Sequence, residues 1–308
     1  MATARGAQGR LLLALAGALA LAVPPRGACA DSDSVLGSGP PGFTRSVVRP
    51  DYALIAAESF VFGGAQGWAC SAGCECSSAV LISPAMTGAR FGMQILRARR
   101  AEGAGAPPCV LHGPGAGAHA DAQRLVYVLG AGELTLETED GGSVPLAEDA
   151  FAYFRPGSGA RLLLGAGGAE LLAYDSLYTA PGAECGAAAA PEDRHGRADD
   201  RPLVPVDGEV FKLRKLLPGD AAYDFNIHVM DFEPGEYLNV KEVHYNHHGL
   251  WMREGLGVYR LADDWYPVAA GDAIYMAPFV PQWYGALGYS RTRYILYKDT
   301  NRDPLLVA

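Results

Sequence analysis

The chain has 308 residues, 49% of them hydrophobic, and a formal net charge of −9. That acidity argues against nucleic acid and anionic membranes as partners, since like charge repels both. The length suits two domains, each able to bury its own core.

At the start, Arg5 and Arg10 precede an apolar run from Leu11 to Val23, which Pro24-Pro25-Arg26-Gly27 breaks. Ala28-Cys29-Ala30 fits a small-residue cleavage site, so residues 1–30 are expected to be a secretory signal peptide. The run is too short to span a bilayer comfortably, and no later stretch is apolar for long enough, so no membrane partner is expected. Loss of 1–30 removes three arginines and takes the net charge to −12. Cys29 goes with it, leaving Cys70, Cys74, Cys76, Cys109 and Cys185. Five cysteines cannot all pair within one chain. The run Cys70-Ser71-Ala72-Gly73-Cys74-Glu75-Cys76 reads as a disulfide in an oxidising lumen, as part of a metal site, or as a loop that happens to hold cysteines.

Residues 31–180 make the first expected domain. Short segments rich in Val, Ile, Leu, Tyr and Phe recur at 124–128, 133–137, 160–164 and 170–174, with Gly, Pro and Asp between them. The Ala/Gly/Pro-rich stretch 101–122 reads as a flexible surface insertion, with His112 and His119 solvated inside it. Residues 181–204 read as the interdomain linker and hold His195. The second domain, 205–308, repeats the style at 226–232, 249–252, 257–261, 273–276 and 292–297. Many short strands with turn signals between them predict an all-β fold of sandwiches or barrels. Residues 126–134 resemble 250–258 and residues 146–156 resemble 268–278, at nearly the same offset, which points to two equivalent β domains.

The densest chemistry is Glu242-Val243-His244-Tyr245-Asn246-His247-His248. Read as a strand and a turn, it places Glu242 and His244 at i and i+2 on one face. His248 then arrives from the start of the next strand, with Gly249 leaving room for the bend. Two imidazoles and a carboxylate converging inside a barrel suit a divalent metal. Left unpaired, such groups are costly to bury. His247 is expected in the turn, pointing away, and His228 reads as a packed strand residue. Gln282 follows the turn-rich stretch 271–281 and can aim its amide oxygen inward. The first half carries no matching cluster.

The order Glu242-x-His244-x3-His248-x6-Gly255, then Gly271-Asp272 and Gln282, resembles the paired metal-binding motifs of cupins. Here Glu replaces the usual first His, His the usual Glu, and Gln the last His. That exchange resembles the (S)-ureidoglycine aminohydrolase family, two-cupin enzymes of purine breakdown. The resemblance runs through Phe211-Lys212-Leu213-Arg214-Lys215-Leu216-Leu217-Pro218, Tyr223-Asp224-Phe225-Asn226-Ile227-His228, Asn239-Val240-Lys241-Glu242-Val243-His244 and Tyr259-Arg260-Leu261. It continues through Trp265-Tyr266-Pro267-Val268, Met276-Ala277-Pro278-Phe279-Val280-Pro281-Gln282-Trp283-Tyr284 and Tyr297-Lys298-Asp299. In the first half Thr44-Arg45-Ser46-Val47-Val48 and Leu81-Ile82-Ser83-Pro84-Ala85-Met86 match, while 62–79 and 101–122 depart. His247 stands where relatives have Gln.

The resemblance implies an all-β bicupin, two tandem cupin (double-stranded β-helix, jelly-roll) barrels, the first without a metal site. It implies hydrolysis of (S)-ureidoglycine to (S)-ureidoglycolate and ammonia in purine and allantoin catabolism. Mn2+ would be held by Glu242, His244, His248 and Gln282. Glu242 and Lys298 would be catalytic, and Glu242, Tyr259, Gln282, Tyr294 and Lys298 would bind the small-molecule ureide substrate. A homo-oligomer in the lumen of the endoplasmic reticulum is expected on the same ground. Two alternatives stay open: another metal-dependent cupin enzyme (dioxygenase, oxidase or isomerase), and a non-catalytic bicupin for binding or storage.

Overall fold

The computed structural model describes residues 45–302 apart from 66–67, 69, 104–106, 113–118, 120 and 182–189. The expected signal peptide and Cys185 lie outside the described residues. Antiparallel strands dominate and form four sheets, paired as one long and one short sheet per barrel. In the first barrel the long sheet runs, edge to edge, Arg194–Arg197, Ala150–Phe154, Ala122–Ala131, Ala169–Leu177, Phe91–Arg100, Cys74–Ile82 and Gly63–Gly64. Its short sheet is Cys109–His112, Arg161–Leu164, Leu134–Glu137 and Ser143–Pro145. In the second barrel the long sheet runs Val47–Val48, Tyr52–Ile55, Ala273–Met276, His248–Glu254, Thr292–Asp299, Phe225–Phe232, Lys212–Lys215 and Leu203–Val204. Its short sheet is Asp264–Ala269, Leu256–Leu261 and Gln282–Leu287.

Side chains alternate across a strand, so each long sheet has two faces to bury. On Ala122–Ala131, Val126 and Val128 fill the first barrel, while Leu125, Tyr127 and Leu129 point toward the second. On Phe225–Phe232, Met230 and Phe232 fill the second barrel, while Ile227 and Val229 point back toward the first. The two long sheets therefore share a central apolar layer. This explains why their strands read as apolar runs: every residue of Ala150–Phe154 and of Phe225–Phe232 is buried.

Aromatic rings knit that layer. Phe91 stacks on Tyr297 at 4.0 Å, and Tyr153 meets Phe225 edge-on at 5.8 Å. The reading of Gly249 as room for a bend is corrected here. A Cβ on Gly249 would lie 2.4 Å from the Phe91 ring, so the glycine admits a side chain of the other barrel. A buried ionic network crosses the same boundary. Arg293 donates to Asp231 at 2.5 and 2.9 Å and to Asp199 at 2.7 Å. Arg214 joins Asp231 at 2.9 Å, and Arg253 donates to Asp149 of the first barrel at 3.1 Å.

Three segments differ from the sequence reading. Residues 47–55, expected in the first domain, extend the second barrel's sheet: Tyr52–Ile55 pairs with Ala273–Met276, and Val47–Val48 pairs with Tyr52–Ile55. Arg45 fastens them there, donating to both oxygens of the fully buried Asp272 at 2.7 and 2.9 Å. The expected linker 181–204 carries the strand Arg194–Arg197, paired with Ala150–Phe154. The expected insertion 101–122 contains the strand Cys109–His112, whose Cys109 and Leu111 are core residues. Composition marks polar, small-residue stretches, but a neighbouring strand can recruit such a stretch through its backbone alone. Among the open cysteine readings, the disulfides Cys70–Cys76 and Cys74–Cys109 are formed; the first closes a loop within the departing stretch 62–79, and the second staples that stretch to this strand.

Removing one partner of a buried ion pair strands the other, at a cost of about 3–5 kcal/mol, whereas an exposed pair contributes about 0–1. Arg293→Leu is therefore expected to lower the melting temperature well below that of Arg97→Ala, which breaks the exposed pair with Glu170. Thermal denaturation of both variants checks this, and equal losses would contradict it.

Candidate functional site

Residues 242–247 do not form a strand. Glu242 makes an isolated bridge to Gln282, with N–H to carbonyl distances of 2.9 and 3.0 Å in the two directions. The Phe279 N–H adds a bond to the His244 carbonyl at 2.7 Å. Phe279 holds a left-handed φ of 65°, unusual for a residue with a bulky side chain. These three bonds hold the extended segment against 279–282, so Glu242 and His244 still share a face. His248 begins the strand His248–Glu254, and Gln282 begins Gln282–Leu287.

The four side chains gather around His244. Its Nε2 lies 3.0 Å from His248 Nε2, 3.0 Å from Gln282 Nε2 and 3.8 Å from Glu242 Oε2. Among the described residues no three His, Cys, Asp or Glu side chains converge on one point as a metal cage. The set needs Gln282 as its fourth member and a short swing of the partly exposed Glu242.

The protons on these atoms test whether a cation fits. His248 Nδ1 lies 3.3 Å from the Tyr297 carbonyl and donates to it, which leaves a lone pair on Nε2. Burial, reinforced by His244 and Lys298, holds the His248 ring well below its usual pKa and therefore neutral. With Gln282 Nε2 toward His244, no tautomer of His244 satisfies both neighbours. A proton on its Nε2 serves His248 but meets the amide N–H. A lone pair serves the amide but meets the lone pair of His248. Turning the Gln282 amide end for end brings Oε1 to the cluster. Tyr259, which donates to Gln282 Oε1 at 3.1 Å, would then accept from the amide nitrogen. With Glu242 swung inward as well, His244, His248, Gln282 and Glu242 would offer three lone pairs and a carboxylate to one cation. The two imidazole Nε2 atoms, 3.0 Å apart, are close enough that one cation would take both. The donor set of nitrogen, amide oxygen and carboxylate fits a borderline divalent ion such as Mn2+.

Lys298 and Tyr294 reach the same interior. Lys298 pairs in register with His248, so both side chains emerge on one face. Burial pulls the Lys298 ammonium below its usual pKa, with Lys215 adding to the effect and Glu242 opposing it. Tyr294 sits deeper, its ring 5.4 Å from Phe232 and 5.5 Å from Tyr284, and its hydroxyl feels Tyr259 and Glu242.

His247 turns away from the cluster, as expected, but it is buried and not in a solvated turn. Its Nδ1 lies 3.1 Å from the Tyr275 hydroxyl, and its N–H donates to Asp299 at 2.5 Å. Burial holds its ring at about 4. Sequence reasoning missed the partner, Asp299, and also Lys215, which stands opposite His228 on the adjacent strand. The matching motif Tyr297-Lys298-Asp299 was the signal available for Asp299. For Lys215 there was only its place in a strand, since cross-strand register is not written in either segment.

No protein-family profile matches the chain. It is 47% identical over 265 residues to the (S)-ureidoglycine aminohydrolase of Arabidopsis thaliana, covering 86% of this chain and 81% of that one. Among solved structures, protein Ylba from E. coli superposes with a TM-score of 0.64 at 25% identity, over 84% of this chain and 96% of that one. An oxalate decarboxylase of Bacillus subtilis matches with a TM-score of 0.52 at 11% identity, over 81% and 77%, a likeness of fold alone. The architecture is that of two cupin barrels in tandem.

Burial pushes the Asp299 carboxyl from 3.8 up to about 6, against the opposing pull of the His247 N–H and Arg90. Folding thus favours its protonated form, and that contribution is full below pH 3.8 and is lost as pH rises through about 6. The stability of the wild type minus that of Asp299→Asn is expected to fall across this window and to level off above it. Urea midpoints at a series of pH values measure it, and a difference that does not change with pH would refute the assignment.

Proposed function

The chain belongs to the (S)-ureidoglycine aminohydrolase family, and from that premise we propose that it hydrolyses (S)-ureidoglycine to (S)-ureidoglycolate and ammonia, with manganese, in purine and allantoin breakdown. The observation that carries this reading is the meeting of His244, His248 and Gln282 within 3.0 Å, beside Glu242 and in register with Lys298.

In this reaction water adds to the carbon that bears the amino group, the C–N bond breaks, and the leaving nitrogen takes a proton. Manganese held by Glu242, His244, His248 and Gln282 would supply Lewis acidity to a substrate anchored there. Glu242 can accept a proton from water and pass it to the departing amine, because it sits at the open side of the cluster. Lys298 supplies a desolvated positive charge for the substrate carboxylate, and its aliphatic stem fills the barrel wall. Tyr259 fixes Gln282 and offers a hydroxyl to a polar ureido group. Tyr294 adds a second hydroxyl and the aromatic floor beneath it. Two disulfides support an oxidising compartment, in keeping with a secretory route and the lumen of the endoplasmic reticulum. A homo-oligomer accords with the apolar side chains exposed around the second barrel, among them Trp265, Phe279 and Tyr289.

Freshly made (S)-ureidoglycine incubated with the manganese-loaded protein is expected to release ammonia well above the spontaneous rate. Glu242→Gln should reduce kcat by about 100-fold or more, the size of a lost general acid–base group. Lys298→Met should raise KM more than it lowers kcat. Ammonia release at the background rate, with metal content confirmed by elemental analysis, would favour a non-catalytic binding protein instead.

A further inference from the structure

The second barrel's interior carries more positive charge than the four proposed ligands and Lys298 explain. Lys215 stands opposite His228, His228 opposite Leu296, and Lys298 opposite both Asn226 and His248. Directly opposed residues project on one side of a sheet, and diagonal neighbours along a strand lie about 7–8 Å apart. Leu213, Met230 and Leu296, which alternate with or oppose these residues, belong to the interior core, so this side is the inside of the barrel. Lys215, His228 and Lys298 thus form one patch next to His248.

Their hydrogen-bonding state is unusual. His228 is almost fully buried, and its Nε2 has no partner. Its neighbour Asn226 is saturated instead, accepting from Leu217 N–H and donating to the Leu217 and Pro218 carbonyls. Neither Lys215 nor Lys298 makes a side-chain hydrogen bond or salt bridge among the described residues. A buried polar atom without a partner is costly, and His228 Nε2 is one; with two partly buried lysines beside it, the patch suits an occupant that accepts hydrogen bonds and carries negative charge. Burial and the two lysines hold the His228 ring at about 3, so it is neutral between two cations, and its Nε2–H tautomer can donate.

We propose that Lys215, His228 and Lys298 form the subsite for the substrate's carboxylate, with His228 donating from Nε2. This rests on the hydrolase reading above and adds Lys215 and His228 to it. The subsite would orient the reacting carbon by holding the end of the molecule that does not react, so it acts on binding more than on bond breaking. His228 and Lys215 are positioning residues in this scheme.

The test is calorimetric titration of the manganese-loaded protein with N-carbamoylglycine, which is the substrate without its amino group, and with the uncharged amide of that compound. His228→Leu and Lys215→Met are each expected to weaken N-carbamoylglycine binding about tenfold or more and to leave the amide unaffected. His228→Gln, which keeps an N–H near the Nε2 position, should restore most of the affinity. Unchanged binding of N-carbamoylglycine in the Leu and Met variants would overturn the subsite. Should His228→Leu fail to fold, the half-exposed Lys215→Met decides alone. Ammonia release with unaltered N-carbamoylglycine affinity would remove the subsite and keep the hydrolase. A carboxylate-selective loss in a protein that releases no ammonia would keep the subsite and remove the hydrolase.

Discussion

Both long sheets must be covered on two faces, and the rest of the structure follows from that. The outer covers are the short sheets, and the inner cover is the other barrel. Burial of apolar area, at about 25 cal/mol per Å2, is the main force holding such layers together. The central layer is aromatic, with Phe91, Tyr153, Phe225, Tyr275 and Tyr297 in contact across it, so the second barrel's wall is stiffened from outside. A stiff wall matters because His248 and Lys298 project from its other side, one residue from Gly249 and Tyr297.

Polar groups occupy two places in this dry frame, with opposite characters. At the boundary between barrels, Arg293, Asp231, Asp199 and Arg214 pair with one another, leaving Arg214 Nε without a partner. Inside the second barrel, His244 and His248 turn ring nitrogens toward each other, and His228 Nε2 has no partner beside the partly buried Lys215 and Lys298. A satisfied network adds rigidity and fixes orientation, whereas an unsatisfied one is the usual mark of a place that receives something.

Much of this was legible in the chain. The strands of the two barrels appear as short apolar segments, and their internal repeat announces the duplication. Glu242, His244 and His248 are found by spacing because period-two geometry survives even where the segment is held by an isolated bridge and not a full ladder. What composition could not reveal were partners distant in sequence. Residues 47–55 look like part of the first domain and pair with the second, 109–112 look like an insertion and form a strand, and His228 looks like filler until register puts Lys215 and Lys298 around it. Gly249 was visible, but its reason, the Phe91 ring of the other barrel, was not. Each of these depends on which strands meet, and pairing is decided by the whole fold.

The placement of residues 45–55 has a bearing on how the protein is made. Arg45 and Asp272 are 227 positions apart, so the ribosome adds all of that chain before the first residue meets its partner. At about 5–20 residues per second the wait lasts on the order of ten seconds or longer. Through that interval the amino-terminal ribbon has a free edge and an apolar face, Tyr52 and Leu54, with no barrel to join. These strands therefore join their sheet late, once Ala273–Met276 has been made, and until then their edge is one that a factor shielding exposed strands could cover.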